Sequence, residues 1–405
     1  MTRLKALFQR GLVPILAVVT ALLIGAIVIV LTDFTNLARI PTDPVGGIAG
    51  ALGGVVSGYG AMLTGAFGDP VRILSAIQTG NQSDIATAIR PITETLVAAT
   101  PLIFAGLAIS VSFRAGMFNI GGEGQIMMGA LGGTLTAFTL QGQAPGFVIL
   151  LVALAASVLF GAFWGFIPGF LKARTGAHEV ITTIMLNYVA PQVLFFSLAL
   201  ESLRQPGSTA PVSKDMSGFV DVPLMIPLPA IRLDYGFVVA LIVAALVSYL
   251  LFRTTLGFEL RASGFNMTAA RYAGMSAGGS MMLAMAISGG LCGLAGGFLA
   301  VGTVGQLSLD LSGGVGFNAI ALALLAGLRP RGVVLAALLF GVLTNGGKSM
   351  NVVSQIPFDL ILLIMALVIM FVAAPGLIRT IWRVKVAKPP PEVASVSAVV
   401  PGESA

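Results

Sequence analysis

The sequence predicts an all-α, polytopic membrane protein with about ten transmembrane helices, some of them broken, and with an inverted repeat. Composition is the first reason, since 57% of the 405 residues are hydrophobic, only 9% are charged, and the mean hydropathy is +0.99. A soluble domain of this composition would aggregate. The second reason is a series of apolar runs, most of them long enough to cross a hydrocarbon core of about 30 Å.

The apolar runs divide into clear and weaker spans. The clear spans are residues 12–32, 96–112, 146–171, 180–200, 236–252, 280–301, 333–344 and 357–374. Residues 126–140 and 316–328 are weaker candidates, and the second covers only about 20 Å at 1.5 Å per residue. A glycine-rich lead at 312–316 can complete that crossing as broken backbone, which survives in a membrane only where protein or a cavity shields it.

The amino terminus and the charge distribution set the predicted orientation. Residues 1–11 are a basic cytoplasmic segment, and the apolar run at 12–32 lacks a small-residue cleavage site, so it is predicted to be a retained first transmembrane helix. Ten crossings then place both termini in the cytoplasm. Inside loops hold 15 of the 22 basic residues, and outside segments hold 11 of the 16 acidic ones, as the positive-inside rule requires. The basic balance therefore reflects topology, and no nucleic-acid partner is expected.

The same orientation assigns the remaining segments. Residues 33–95 are predicted to be an outer loop with an interfacial segment, and the alternative is that the weakly apolar residues 44–67 form a further span. Residues 96–374 form the transmembrane domain. The proline-rich end makes residues 375–405 a basic, disordered cytoplasmic tail.

Paired dipeptides suggest the inverted repeat. Phe118-Asn119 and Phe317-Asn318 each precede a short Gly/Ala-rich span, and Phe160-Gly161 and Phe340-Gly341 lie in the span that follows. In the predicted topology the two members of each pair enter the membrane from opposite sides, which an inverted repeat requires.

Between two apolar spans, residues 257–274 form a polar, basic insertion. Asn266 is a suitable N-cap for a helix over residues 267–273, and Gly274 stands where a left-handed C-terminal residue is expected. So short a helix is unstable alone in water, so a partner or the membrane must pack on it. The residues predicted to contact a partner are Arg261, Ala262, Gly264, Asn266, Ala269, Ala270, Arg271 and Gly274. The alternative is an ordinary cytoplasmic loop enriched in basic residues.

Uncharged polar side chains and one carboxylate interrupt the apolar runs. These residues are Asn119, Glu123, Gln125, Asn187 and Asn318. Such groups are costly inside a membrane unless they cap helix ends, bond neighbouring helices or line a wet path. All five are candidates for the lining of a translocation path, and capping and interhelical bonding are the alternatives.

Catalytic chemistry is not expected in this chain. His178 is the only histidine, which leaves the HEVIT stretch without a second imidazole for zinc, and Cys292 lies alone within a span. The glycine-rich stretch 341–349 departs from the spacing of a phosphate-binding loop and follows no strand. The sequence therefore predicts no catalytic residues, no metal site and no cofactor.

Three stretches carry a resemblance to a known family: residues 113–125 (FRAGMFNIGGEGQ), 169–187 (GFLKARTGAHEVITTIMLN) and 257–274. Over about residues 95–374 the chain resembles the permease subunits of bacterial binding-protein-dependent ABC importers, which include branched-chain amino acid, ribose and nucleoside systems. The third stretch resembles the coupling segment that seats in a groove of the ATPase. The first two stretches look most similar to the larger permease of nucleoside importers that use a lipoprotein receptor.

The resemblance implies a complex in the bacterial cytoplasmic (inner) membrane. Its expected partners are a second permease subunit, two ATP-binding subunits that use ATP and Mg²⁺, an external substrate-binding lipoprotein and membrane lipid. The expected function is ATP-driven import of nucleosides, and the alternative substrate is a pentose or another sugar. An ion-coupled secondary transporter is a further alternative, although the spans offer few of the carboxylates that such proteins use as ion relays.

Overall fold

The computed structural model describes residues 2–220, 222–228 and 231–383, and this part of the chain is helical without a named strand. The helices are α1 (Thr2–Thr32), α2 (Phe34–Leu37), α3 (Pro44–Phe67), α4 (Pro70–Thr79), α5 (Gln82–Arg114), α6 (Gly122–Thr139), α7 (Gly146–Thr175), α8 (Glu179–Leu198), α9 (Gly236–Arg253), α10 (Thr255–Phe265), α11 (Met267–Tyr272), α12 (Ala277–Gly297) with a π-helical extension (Phe298–Val304), α13 (Val315–Leu325), α14 (Pro330–Ser354), α15 (Phe358–Ala373) and α16 (Pro375–Ile381). The predicted all-α membrane fold is confirmed.

Within the described ranges, eight helices are long and apolar enough to cross a membrane. Seven of them contain spans predicted from the sequence, and the eighth is α3, which lies in the predicted outer loop. The weaker predicted spans at 126–140 and 316–328 correspond to α6 and α13, and residues 357–374 to the 16-residue α15. Residues 312–314 of the glycine-rich lead are non-helical backbone, as predicted, and α13 begins at Val315.

Residues 33–95, predicted to be an outer loop with an interfacial segment, are mostly helical, which corrects the loop part of this prediction. Aspartate caps explain the helix starts, because Asp43 accepts a hydrogen bond from Gly46 N and Asp69 accepts one from Val71 N. Asn81 caps α5 in the same way, so that helix starts well before residue 96. Short-range capping is a weaker signal than hydropathy in a sequence, and these starts were missed for that reason.

The end of α1 and the start of α5 nevertheless lie at one face of the protein. The end of α1 lies beside the end of α14, since Thr32 and Ser354 line one cavity. The helix α5 runs antiparallel to α14: Asn345 Nδ2 donates to Pro91 O at 2.9 Å, and Arg114 Nε donates to Leu328 O, just before α14, at 2.6 Å. We name the face at Arg114 and Leu328 the basic face, and the other the opposite face.

The helix α3 enters from the opposite face and the chain returns to it. Ser57 Oγ lies 3.2 Å from Ser354 Oγ at the end of α14, and Gly65 O accepts from Asn345 Nδ2 at 2.8 Å. Nine residue steps separate Asn345 from Ser354, and they correspond to about 14 Å of helix. The chain then turns back, because α4 packs along the first turns of α5. The side of the membrane on which this segment lies stays a prediction.

Two helix triplets have the order and directions of an inverted repeat. The helices α5 and α7 run toward the basic face, whereas α12 and α14 run away from it. The middle helices of the two triplets, α6 and α13, begin at a common buried point, where Gly122 contacts Gly316, and run in opposite directions. We name them the half-helices, because each begins inside the membrane part of the protein. The half-helix pair matches the predicted Phe118-Asn119 and Phe317-Asn318 correspondence.

The carboxy-terminal segment differs from its prediction over residues 375–381, which form α16. Ile378 is fully buried in the core, and Trp382 Nε1 donates to Thr20 Oγ1 of α1 at 2.8 Å. These two contacts give the segment a packed position that composition alone does not reveal. Residues 384–405, the rest of the predicted tail, lie outside the described residues.

Candidate functional site

The predicted docking segment folds as two short helices at the basic face. Thr254 caps α10 by accepting from Gly257 N at 3.0 Å, and Asn266 caps α11 by accepting from Ala269 N at 3.0 Å. Gly274 follows α11 with a positive φ of 80°, the left-handed conformation that glycine adopts without strain. The N-cap and the terminal glycine predicted from the sequence are therefore confirmed.

Inward contacts hold this helix pair against the membrane part. Gly264 has no side chain and packs directly on the backbone of Arg114 and Gly116. Ala270 is only 3% exposed, so it packs against the protein, and its carbonyl accepts from Met275 N at 3.0 Å. Ala270 is thus turned inward and Gly264 is half-buried, and contact of these two residues with a partner stays a prediction.

The outward surface of the segment carries two aromatic side chains that the sequence analysis missed. Phe265 is 95% exposed and Tyr272 is 89% exposed. Ala269, Arg271 and Asn266 are exposed beside them. We name this set the α11 surface: Phe265, Asn266, Ala269, Arg271 and Tyr272. The available signal was the presence of Phe265 and Tyr272 in an insertion that is largely polar.

The other predicted coupling residues lie at the edge of the α11 surface. Ala262 is half-buried and lines a shallow cavity together with Arg261 and Phe265. The Arg261 guanidinium lies 5.3 Å from the centre of the Phe252 ring, and the Arg114 guanidinium lies 4.9 Å from it. Stacking on this ring holds both cations at the basic face.

A buried polar network forms around the start of α6. Asn119 Nδ2 donates to Gln125 Oε1 and to Ser288 Oγ, each at 2.9 Å, and Asn119 Oδ1 accepts from Gly121 N at 2.9 Å. Ser288 Oγ donates to Ala108 O of α5 at 2.7 Å. The network therefore ties α5, α6 and α12 together at the point where the broken helix begins.

Asn187 of α8 forms hydrogen bonds with the backbone of residues 120–124, where α6 begins. Its Oδ1 accepts from Gly124 N, and its Nδ2 donates to Ile120 O, both at 2.9 Å. These bonds satisfy backbone groups that the start of α6 cannot pair within the helix. Asn187 is thus an interhelical cap in this structure.

Glu123 joins the two half-helices. It lies in the first turn of α6, and its Oε2 accepts from Gly316 N in the first turn of α13 at 2.8 Å. Its Oε1 accepts from Ser312 Oγ. Two helix N-termini, each with a partial positive charge, meet here, and the carboxylate is placed where both favour it.

Four of the five predicted path residues thus come together, and their polar groups are directed at one another. Asn119, Glu123, Gln125 and Asn187 are all buried, whereas Asn318 is half-buried in α13 and stands apart from the network. Sequence reasoning missed Ser288 and Ser312, whose partners are distant in the chain. Lining of the translocation path by these residues stays a prediction, and in this structure they cap and connect helices.

We expect Glu123→Ala to lower stability by about 2–3 kcal/mol, because it leaves the Ser312 hydroxyl and Gly316 N buried without their charged acceptor. The measurement is the thermal unfolding midpoint of the purified protein in detergent. Glu201→Ala is the control, since Glu201 is exposed outside the helices. A variant that unfolds at the wild-type temperature would show that the carboxylate does not connect the half-helices.

The fold defines a membrane transport subunit. Its features are two inverted helix triplets, whose middle helices meet at their starts, and a small helix pair on one face. Residues 92–373 match the family described as the permease component of branched-chain amino acid transport systems, and the chain belongs to this family.

Curated relatives cover most of the chain. The guanosine ABC transporter permease of Bacillus subtilis is 35% identical over 370 residues, which cover 91% of this chain and 94% of that protein. The nucleoside ABC transporter permease NupB of Lactococcus lactis is 34% identical over 299 residues, 72% of this chain and 81% of that protein. The glucose ABC transporter permease TsgB13 of Haloferax volcanii is 34% identical over 334 residues, 76% of this chain and 87% of that protein. No solved structure matches the chain.

Proposed function

We propose that this permease translocates nucleosides as one subunit of an ATP-driven importer in the bacterial inner membrane, with both termini in the cytoplasm. The observation that carries the proposal is the similarity to the guanosine permease of Bacillus subtilis, which extends over nearly the full length of both chains. The membrane interior agrees with a neutral, polar cargo. The buried polar network around the start of α6 consists of amides and hydroxyls, and the Glu123 carboxylate already accepts hydrogen bonds from Ser312 and Gly316.

The proposed partners are two ATP-binding subunits, a second permease and an external lipoprotein that delivers the substrate. ATP and Mg²⁺ bind to the ATP-binding subunits, which contact the α11 surface. Exposed Phe265 and Tyr272 provide aromatic anchors there, and Arg271 provides a charge-assisted contact.

A few contacts connect α11 to the turn that carries the buried polar network around the start of α6. Met267 of α11 packs against a cluster of the buried residues Met117, Met281 and Met285, and Met117 lies two residues before Asn119. Gly264 packs on the backbone of Arg114 and Gly116 at the start of the same turn. Closure of the ATP-binding subunits therefore moves the turn that leads into α6, and the two halves of the inverted repeat rock relative to each other.

A sugar is the second candidate substrate. The glucose permease of Haloferax volcanii is as similar in sequence identity as the nucleoside permease of Lactococcus lactis. Sugars and nucleosides share a hydroxyl-rich ring, so a path lined by uncharged hydrogen-bonding groups is compatible with either. Uptake measurements with nucleosides and with sugars distinguish the two candidate substrates.

We expect vesicles with the complete importer to accumulate labelled guanosine or uridine only when the lipoprotein is outside and ATP is on the side of the α11 surface. ATP supplies the work for accumulation, so vesicles with ADP are the control. Uptake of glucose or ribose without nucleoside uptake would contradict the proposed substrate, while the proposal of an ATP-driven importer would still hold. Uptake that a proton gradient drives without ATP would contradict the importer itself.

A further inference from the structure

A cleft of about 760 Å³ lies between α9 and α14 and opens at the basic face. Leu241, Ala245 and Leu335 form apolar walls, and Tyr249, Arg253 and Arg331 lie toward the mouth. Twelve residue steps separate Leu241 from Arg253, and they correspond to about 18 Å of helix at 1.5 Å per residue. The cleft is therefore elongated along the membrane direction, apolar inside and cationic at one end.

The positive charge at the mouth has no carboxylate partner. In residues 2–220, 222–228 and 231–383, neither Arg253 nor Arg331 forms an ion pair. Two more guanidinium groups, those of Arg114 and Arg261, stack on Phe252, which also lines the cleft. Four arginines thus lie where α9 ends and α14 begins, and their positive charge would attract an anion to the mouth.

We propose that this cleft binds an anionic phospholipid. Arg253 and Arg331 bind the headgroup phosphate, for which the planar guanidinium is well suited. Tyr249 lies one turn deeper, at the level where aromatic side chains meet the polar ends of lipids. An acyl chain lies along Leu241, Ala245 and Leu335.

The shape of the cleft favours a phospholipid over a soluble anion. A free phosphate would use the arginines alone and leave the apolar walls unoccupied. A phospholipid satisfies both ends of the cleft, and basic pockets between membrane helices are places where such headgroups bind. The inference concerns the membrane part of the chain and does not depend on which substrate is transported.

The test uses the purified importer complex, reconstituted in vesicles of phosphatidylcholine with cardiolipin and then analysed by native mass spectrometry for retained lipid. We expect wild type to retain cardiolipin. In Arg253→Gln with Arg331→Gln we expect about thirtyfold weaker retention, the effect of two basic residues at about 1 kcal/mol each. Arg174→Gln with Arg379→Gln is the matched control, because both residues are exposed and lie outside the cleft lining.

A second variant separates the lipid from a small anion. Ala245→Trp fills the apolar part of the cleft without a change in charge, so we expect it to lose cardiolipin as well. Three results would overturn the proposal: no retained lipid in wild type, equal loss in the control pair, or full retention in Ala245→Trp. The last result would indicate an anion held by the arginines alone.

Discussion

The Ala269→Asp variant is expected to lose ATP-driven uptake while its abundance in the membrane stays at the wild-type level. Ala269 is exposed on α11, between Phe265 and Tyr272, so the protein itself does not oppose a larger side chain there. A carboxylate at the centre of a partner contact would be buried without a cation and cost about 2–5 kcal/mol of partner affinity. Uptake by reconstituted complex and co-purification of the ATP-binding subunits are the measurements.

Thr175→Asp is the control for this variant. It adds the same charge at an exposed position at the end of α7, outside the residues of the α11 surface. We expect it to transport and to co-purify as wild type does. If Ala269→Asp also transports normally with its ATP-binding subunits attached, the α11 surface is an ordinary loop and the coupling proposal fails.

The Gly293→Ala variant is expected to lower the stability of the folded protein by at least about 1–3 kcal/mol, the usual cost of an overpacked core. Gly293 lies where α12 crosses α7, and a Cβ built on it would overlap the carbonyl oxygen of Ser157 and stand 2.9 Å from Gly161 Cα. Backbone atoms cannot rotate away as a side chain can, so the two helices must separate. The thermal unfolding midpoint in detergent measures the loss.

Gly60→Ala is the matched control, since Gly60 is also inside a helix but has open space where its Cβ would be built. Alanine favours the helix by about 0.4–1 kcal/mol through the unfolded state, so this variant should be as stable as wild type or slightly more so. Equal unfolding midpoints for both variants would show that α7 and α12 do not pack at backbone distance.

The sequence by itself determined the class of fold and the bounds of α11. Hydropathy marked the long spans because a bilayer demands continuous apolar length, whatever the helices pack against. Asn266 and Gly274 bounded α11 because capping acts within a few residues of the chain. Both signals are local, so they can be read without knowledge of the contacts.

Only the tertiary structure decided what the polar and small residues do. Asn119 and Glu123 find their partners Ser288 and Ser312 more than 160 residues away, and no local pattern reports such a pairing. Ala270 and Ala269 are adjacent and identical, yet one is buried and the other exposed. The physical reason is that burial and hydrogen bonding depend on which helices meet, and that arrangement is a property of the whole packed chain.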